Sequence, residues 1–309
     1  MTRVLTHVGG PIVDQIRAAV PEVDVVEIPG DGALPDDLDG DVLLTIAWGT
    51  PNLEDVLGRG VRWAHTMGTG VDRFPLHLVG ERVLTCSRGA SAVPIAEWVL
   101  AQMLAFEKRL PESWLTERPE RWHGAELGRL DGRTLGLVGL GGIGAAVAAR
   151  ALPFGMRVVA LRRTARPSPV AGVELAGDLA ELLPVADHLV LTAPGTAETR
   201  HLLNDDTLAQ VRPGVHIVNI ARGSLIDQDA LRVALDDGRV ALVSLDAVDP
   251  EPLPDGHWMF GHPRVHLSAH ISWSMPGATD VLVELFVANL RRYVAGEPLD
   301  GVVDVAAGY

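Results

Sequence analysis

The feature that most constrains the fold is a glycine turn placed between an apolar run and an alanine-rich segment. Residues 134–138 are an apolar run of strand length, and residues 139–144 read Gly-Leu-Gly-Gly-Ile-Gly. Residues 145–152 contain no helix breaker, and residues 156–161 form a second apolar run. This order predicts a strand, a turn, a helix and a strand, which together make one βαβ unit.

The three spaced glycines have separate physical roles in such a turn. Gly139 allows the tight bend, Gly141 lets a pyrophosphate approach the backbone, and Gly144 lets the helix pack closely on the strand. The N–H groups at the helix start then point at the phosphates. A Gly-x-Gly-x-x-Gly pattern is weak evidence alone, but with both strands and the helix present it predicts a dinucleotide site.

Composition excludes several partners. The net charge is −14, and no basic cluster suits nucleic acid or an anionic membrane. The single cysteine, Cys86, offers no disulfide framework. The first residues lack the apolar core of a signal peptide, and no run of 18 apolar residues is present. We therefore expect a cytoplasmic protein without a membrane segment, and no metal site is predicted.

Predicted strands alternate with predicted helices along the chain, so we expect parallel sheets covered on both faces. One predicted strand, residues 61–66, runs into Met67-Gly-Thr-Gly-Val-Asp72. Gly68 and Gly70 can present backbone N–H groups to a carboxylate there, but an ordinary βα turn explains the glycines equally well. Residues 94–110 predict a long helix, and residues 111–130 a connection whose Trp114 and Trp122 are expected to pack rather than to bind a ligand.

Three polar residues follow predicted strands in the second half of the chain: Arg222, Glu251 and His270. All three should lie at the carboxyl edge of one sheet. A histidine can protonate a developing alkoxide, and a neighbouring carboxylate favours the charged imidazolium. An arginine can clamp a carboxylate and polarise a carbonyl. The set suits hydride transfer to a 2-keto acid, although a structural ion pair and an incidental histidine remain open from the residues alone.

Several stretches match one known family in order and spacing. They are Val138-Gly-Leu-Gly-Gly-Ile-Gly144, Asn219-Ile-Ala-Arg-Gly-Ser-Leu-Ile-Asp227, Leu245-Asp246, Glu251-Pro-Leu-Pro254, Ala269-His-Ile271 and the ending Asn289-Leu-Arg-Arg-Tyr-Val-Ala-Gly-Glu-Pro-Leu299. The sequence resembles the D-isomer-specific 2-hydroxyacid dehydrogenase family over most of its length from about residue 42. Taken together, these motifs are highly specific.

The resemblance implies roles for particular residues. His270 would be the acid/base, Glu251 its partner, and Arg222 the clamp on the substrate carboxylate and carbonyl. Thr69 and Gly70 would bind the substrate carboxylate through their backbone N–H groups, and Asp246 would hold the nicotinamide carboxamide. The full set expected at the cofactor is Gly139, Gly141, Gly142, Ile143, Gly144, Arg162, Arg163, Thr192, Pro194, Ala221, Asp246 and His270.

The resemblance also implies a fold class and an assembly. We expect an α/β protein with two Rossmann-like or flavodoxin-like doubly wound parallel-sheet domains and a cleft between them. The substrate domain would be discontinuous, formed by residues 1–102 and 274–309, and the dinucleotide-binding domain would span residues 103–273. A homodimer built around the long connecting region is expected.

The sequence departs from the usual family pattern in two places. Ala269 stands where a proline usually precedes the histidine, and Thr192-Ala-Pro194 replaces a more usual histidine–x–proline. Trp48, Trp98 and Trp273 lie where family members differ. They could narrow the substrate pocket, but packing roles are at least as compatible with their positions.

The end of the second strand of the βαβ unit predicts the cofactor. NAD-preferring folds usually place Asp or Glu about 20 residues after the glycines, to bind the ribose 2′-OH. Here Arg162 and Arg163 occupy that region, and no carboxylate occurs until Glu174. Because arginines attract a 2′-phosphate, we expect NADP(H) to be preferred, with NAD(H) also possible.

The sequence therefore predicts an NADPH-dependent reductase of 2-keto acids to D-2-hydroxy acids, of the glyoxylate, hydroxypyruvate or bulkier keto-acid type. Formate oxidation, a related reaction, uses a glutamine in place of the glutamate partner, so Glu251 argues against it. A catalytically weak dinucleotide-sensing binding protein of the same fold is the alternative from another class.

Overall fold

The computed structural model describes residues 1–164 and 166–309. The strands are β1 (Arg3–Thr6), β2 (Asp24–Glu27), β3 (Val42–Ile46), β4 (Trp63–Met67), β5 (Val83–Cys86), β6 (Thr134–Val138), β7 (Arg157–Leu161), β8 (Val173–Ala176), β9 (His188–Leu191), β10 (Val215–Asn219), β11 (Val240–Leu245) and β12 (Val265–Leu267). The α-helices are α1 (Pro11–Ala19), α2 (Leu53–Leu57), α3 (Ala92–Lys108), α4 (Gly142–Ala151), α5 (Leu179–Leu182), α6 (Asp205–Leu208), α7 (Gln228–Asp236) and α8 (Ala278–Ala295).

The strands form two parallel sheets. One has five strands in the order β2-β1-β3-β4-β5, and the other has seven in the order β12-β11-β10-β9-β6-β7-β8. All strand pairs in both sheets are parallel. The predicted α/β class with doubly wound parallel sheets is confirmed. Strand β8 was not predicted, because it is a partly exposed edge strand without an apolar run.

The chain divides into two compact units. The first contains Met1–Ser91 and Met275–Tyr309, and the second contains Ala92–Ser274. The whole of α3 belongs to the second unit, where Val99 and Met103 pack in one core cluster with Leu135 and Val147. The predicted division after residue 102 would cut α3, so the functional domain boundaries stay a prediction.

The final helix explains why the first unit is discontinuous. Phe286 and Leu290 of α8 are buried with Ile16 of α1 and Trp63 of β4. The Trp63 and Phe286 rings stack with centroids 5.5 Å apart. Beside them, His65 is fully buried between the hydroxyls of Thr85 and Ser87, at 2.7 and 3.1 Å. Burial lowers the pKa of His65 to about 3.

A chain of buried polar side chains crosses the second unit. Glu107 of α3 lies 3.1 Å from His188 Nε2, and the Nδ1 atoms of His188 and His216 are 3.1 Å apart. His216 Nε2 then lies 3.0 Å from the Ser244 hydroxyl. Burial lowers the pKa of His216 well below its usual value. Glu107 is thus a core residue, although its sequence neighbours Lys108 and Arg109 suggest a solvated surface.

The connection that follows α3 exposes large apolar side chains. Trp114 and Trp122 are exposed, as are Leu115 and Leu127. Neither tryptophan is buried in the described chain, so the expectation that both pack rather than bind a ligand stays a prediction. Aromatic character makes burial common but does not require it. In the described part of the chain, each helix is too short or too polar to serve as a membrane-spanning segment.

Candidate functional site

The glycine turn has the geometry that its sequence predicts. It joins β6 to α4, and Gly139 has a φ of +105°, which favours glycine. A Cβ on Gly144 would lie 2.4 Å from the Gly139 carbonyl oxygen, so a side chain has no room there. A Cβ on Gly141 would meet no atom of the described residues within 4 Å. The fold thus needs glycine at 139 and 144. At 141 the fold would accept a side chain, and glycine leaves the space beside the backbone open.

That open space lies at the start of α4. Gly141 is the N-cap, and no side chain among the described residues caps the helix. Gly142 is exposed, whereas Ile143 packs against the core beneath. Backbone N–H groups at a helix start carry partial positive charge and bind phosphate groups. The open backbone over Gly141 and this uncapped helix start fit the pyrophosphate of a dinucleotide.

Thr192 supports the glycine turn from the end of β9. Its hydroxyl donates a 2.7 Å hydrogen bond to the Gly139 carbonyl, and its backbone N–H donates to Val138 O at 2.9 Å. Pro194, two residues further on, is exposed and accepts a bond from the Thr199 hydroxyl. Thr192 is therefore a structural brace at this position, a role that the sequence did not indicate.

The end of β7 carries the two arginines. Arg162 Nη1 donates to the carbonyls of Arg166 and Pro167, at 3.2 and 2.8 Å, and so holds its own loop. Arg163 is exposed, whereas Arg162 is half-buried. Glu174, the next carboxylate along the chain, is bound by Arg157 with a shortest contact of 2.6 Å.

His270 and Glu251 are in contact. His270 Nδ1 lies 3.1 Å from both carboxylate oxygens of Glu251. One of these oxygens also accepts from the Val248 N–H at 3.2 Å. Glu251 is mostly buried, whereas the His270 side chain is 41% exposed. Since Glu251 occupies Nδ1, Nε2 is the ring nitrogen left for a reacting group.

Arg222 follows β10, which is next to β11 in the seven-stranded sheet, so it lies at the same sheet edge. Buried Asn219 holds its turn, because the Asn219 amide donates to the Arg222 carbonyl at 2.8 Å and accepts from Ala221 N–H at 3.0 Å. Arg222 Nη1 donates to the Ala221 carbonyl at 2.7 Å. A Cβ on Gly223 would lie 1.9 Å from the backbone of Val248, so this turn packs directly on the segment that leads to Glu251.

The carboxylate of Asp246 binds the turn that carries His270. It is 1% exposed. Oδ1 accepts from Ile271 N–H at 2.8 Å and from the Ser268 hydroxyl at 2.5 Å, and Oδ2 accepts from Ser272 N–H at 2.9 Å. The contact with a nicotinamide carboxamide, expected from the family resemblance, stays a prediction.

In the first unit, Thr69 and Gly70 follow β4 at the carboxyl edge of the five-stranded sheet. The Thr69 hydroxyl donates to the Ser87 carbonyl at 3.3 Å, and Ser87 N–H donates to Gly68 O at 2.9 Å. The loop is therefore tied to the end of β5. Trp48, which follows neighbouring β3, has a 65% exposed side chain.

Unlike the exposed Trp48, Trp98 and Trp273 both make contacts within the second unit. Trp98 packs against a core cluster of the second unit, which is the packing role weighed for it. Trp273 Nε1 donates to the His270 carbonyl at 2.8 Å. Sequence reasoning missed this bond and the bonds made by Asn219 and Ser268, because each depends on how a loop folds back on itself. The one available signal was the position of these residues beside the predicted site.

Most of the chain is similar to known proteins of one family. Residues 100–272 match the family profile described as D-isomer specific 2-hydroxyacid dehydrogenase, NAD binding domain. The chain is 31% identical over 277 residues to glyoxylate/hydroxypyruvate reductase A of Serratia proteamaculans (strain 568), covering 85% of this chain and 87% of that protein.

Two solved structures have a similar fold over the whole chain. A D-isomer specific 2-hydroxyacid dehydrogenase from Xanthobacter autotrophicus Py2, in complex with NADPH and MES, is 28% identical with a TM-score of 0.86, covering 100% of this chain and 99% of that one. An NADPH-dependent glyoxylate/hydroxypyruvate reductase from Sinorhizobium meliloti, in complex with NADP and sulfate, is 25% identical with a TM-score of 0.84, covering 100% of both chains.

Proposed function

The chain belongs to the D-isomer specific 2-hydroxyacid dehydrogenase family of NAD(P)-dependent enzymes, and from this premise we propose that it reduces a small 2-keto acid to a D-2-hydroxy acid, with NADPH as the preferred cofactor. One observation carries the proposal. The imidazole of His270 is held by the carboxylate of Glu251 at the sheet edge where the Arg222 turn also lies. This arrangement suits an acid/base next to a carboxylate clamp.

Each side chain has one task in the proposed reaction. A nicotinamide bound at this site would supply the hydride. His270 Nε2 gives a proton to the carbonyl oxygen as it becomes an alkoxide, and Glu251 fixes the ring through Nδ1. Arg222 clamps the substrate carboxylate with its planar guanidinium and polarises the carbonyl.

The remaining contacts are proposed from sequence and local geometry. Thr69 and Gly70 would bind a substrate carboxylate through backbone N–H groups at the end of β4. Gly139, Gly141, Gly142, Ile143 and Gly144 would cradle the pyrophosphate, and Thr192, Pro194, Ala221 and Asp246 would line the rest of the cofactor site.

The preference for NADP(H) rests on charge at the end of β7. Residues 162–173 contain no carboxylate, and Glu174 is already bound by Arg157. Arg162 and Arg163 would attract a 2′-phosphate. We expect Arg163→Gln to raise the Kd for NADPH about tenfold or more, because one charge-assisted contact is lost, while the Kd for NADH stays near its wild-type value. A wild-type Kd for NADH as low as that for NADPH would contradict the preference.

The proposed substrate class follows two similar proteins whose names specify glyoxylate and hydroxypyruvate. The test measures oxidation of NADPH and NADH with glyoxylate, hydroxypyruvate, pyruvate and phenylpyruvate. We expect turnover with at least one acid, faster with NADPH, and its loss in His270→Ala with little change in NADPH binding. Retained kcat in that variant would remove His270 from the mechanism. No turnover with intact cofactor binding would favour a dinucleotide-sensing protein.

A homodimer is proposed from the exposed connection after α3. Trp114, Leu115, Trp122 and Leu127 present apolar side chains that a second copy of the chain would cover. Sedimentation equilibrium should give twice the chain mass, and Trp114→Glu together with Trp122→Glu should shift it toward the monomer. A wild-type monomer at micromolar concentration would reject the assembly.

A further inference from the structure

The turn that carries His270 is held from two sides, and we propose that Trp273 is a positioning residue for His270, acting with Asp246. The inference rests on the proposed function of His270 as the acid/base. His270 has a φ of +54°, a left-handed conformation that residues other than glycine rarely adopt. Such a conformation persists only where surrounding contacts determine it.

The two peptide groups that flank His270 are both bonded. The His270 N–H donates to the Asp246 carbonyl at 3.0 Å, and the His270 carbonyl accepts from Trp273 Nε1 at 2.8 Å. Fixing the peptide planes on both sides of a residue fixes the direction of its Cα–Cβ bond. Glu251 then fixes the ring through Nδ1. The imidazole is therefore oriented by three separate contacts.

Asp246 binds the turn from the buried side, and Trp273 binds it from the solvent-exposed side. The buried Asp246 carboxylate accepts from the N–H groups of Ile271 and Ser272, directly after His270. The Trp273 side chain is 42% exposed, so core packing does not account for the position of the indole. Ala269 has no ring that would fix φ directly before His270, so the conformation of the turn depends on these contacts.

Trp273→Phe tests the role, because it keeps an aromatic ring and removes the N–H donor. We expect kcat to fall about fivefold, the factor for one lost neutral hydrogen bond. The fall should be similar for glyoxylate, pyruvate and phenylpyruvate, with KM values and the Kd for NADPH near wild type. Trp258→Phe is the matched control, since Trp258 lies in the same unit against Arg232 and should retain wild-type kcat.

A pocket role for Trp273 would give a different pattern. If the indole only shaped the substrate site, the change would fall on KM and would differ between glyoxylate and phenylpyruvate. That pattern, or a wild-type kcat in Trp273→Phe, overturns the proposal.

Hydrogen exchange of the same variants provides a readout that needs no turnover. The amides of His270, Ile271 and Ser272 should be protected in the wild-type chain and exchange faster in Trp273→Phe, and faster still in Asp246→Asn. Unchanged exchange in Trp273→Phe overturns the positioning role even if kcat falls. If the wild-type enzyme reduces none of the keto acids, the proposed reaction fails, and exchange alone decides whether Trp273 holds the turn.

Discussion

Alanine at Gly144 should destabilise the fold, whereas alanine at Gly141, in the same β6–α4 turn, should weaken cofactor binding. Gly144→Ala places a Cβ 2.4 Å from the Gly139 carbonyl oxygen, a distance that real Cβ contacts do not show. The oxygen is backbone and is also bonded to Thr192, so it has little freedom to move away. Gly141→Ala places its Cβ in open space at φ −83° and ψ −162°, which alanine adopts readily.

The magnitudes follow from these contacts. Overpacking of this kind costs about 1–3 kcal/mol, so Gly144→Ala should lower the Tm of the cofactor-free protein by roughly 2–12 °C. Gly141→Ala should leave that Tm within about 2 °C of wild type. In Gly141→Ala the methyl would instead meet a pyrophosphate bound as proposed, so a similar cost of about 1–3 kcal/mol should raise the Kd for NADPH roughly 5- to 150-fold.

Two assays separate the outcomes. Calorimetry of the cofactor-free variants reports the fold, and a fluorescence titration with NADPH reports the site. Gly141→Ala with a wild-type Kd would show that the pyrophosphate does not pass over residue 141, and the phosphate cradle would have to be placed elsewhere. Gly144→Ala with a wild-type Tm would contradict the close approach of α4 to β6.

Three further predictions concern other parts of the chain. Arg222→Lys should lower kcat/KM by about 100-fold or more with the Kd for NADPH unchanged, because a point charge cannot reproduce the bidentate clamp; wild-type kcat/KM would refute the clamp. Gly223→Ala should lower both Tm and kcat, since its Cβ would enter the backbone of Val248; normal values for both would be inconsistent with this packing. Because burial lowers the pKa of His65 to about 3, its stabilising contribution is complete above pH 6.5 and is lost as the pH falls toward 3. Between pH 6.5 and 5 this loss lowers the free energy of unfolding of the wild type by about 2 kcal/mol. In urea unfolding over the same pH range, the free energy of unfolding of His65→Gln should fall by that amount less than the wild-type value. Equal falls in the two proteins would refute this role of His65.

The parts that sequence predicts well are those set by local pattern. The glycine turn was predicted because spacing and flanking apolar runs depend on neighbours in the chain. The placement of Arg222, Glu251 and His270 after β10, β11 and β12 followed from one rule, that parallel strands share a carboxyl edge. The structure agrees, since these three strands are adjacent in the seven-stranded sheet.

The parts that sequence did not predict depend on distant partners. Glu107 lies 81 positions from His188 in the chain, and a Glu-Lys-Arg sequence is usually solvated. Asp246 is followed by loops whose return path has no periodic signal, so its bonds to Ile271 and Ser272 could not be foreseen. The exposure of Trp114 and Trp122 was not foreseen either, because hydrophobic character makes burial common without requiring it.

The proposed preference for NADPH rests on Arg162 and Arg163, and Arg162 also makes bonds within its own loop. The Arg162 guanidinium donates to the carbonyls of Arg166 and Pro167, so part of its bonding capacity holds the loop in place. Discrimination between cofactors is a difference of two affinities, and a carboxylate at this place would act mainly by repelling a 2′-phosphate. Since Glu174 is bound by Arg157, no acidic side chain of the described residues between 162 and 174 is left for that repulsion. We therefore expect the lack of a carboxylate to favour NADPH, and Arg163→Gln should show how much the charge of Arg163 adds to that preference.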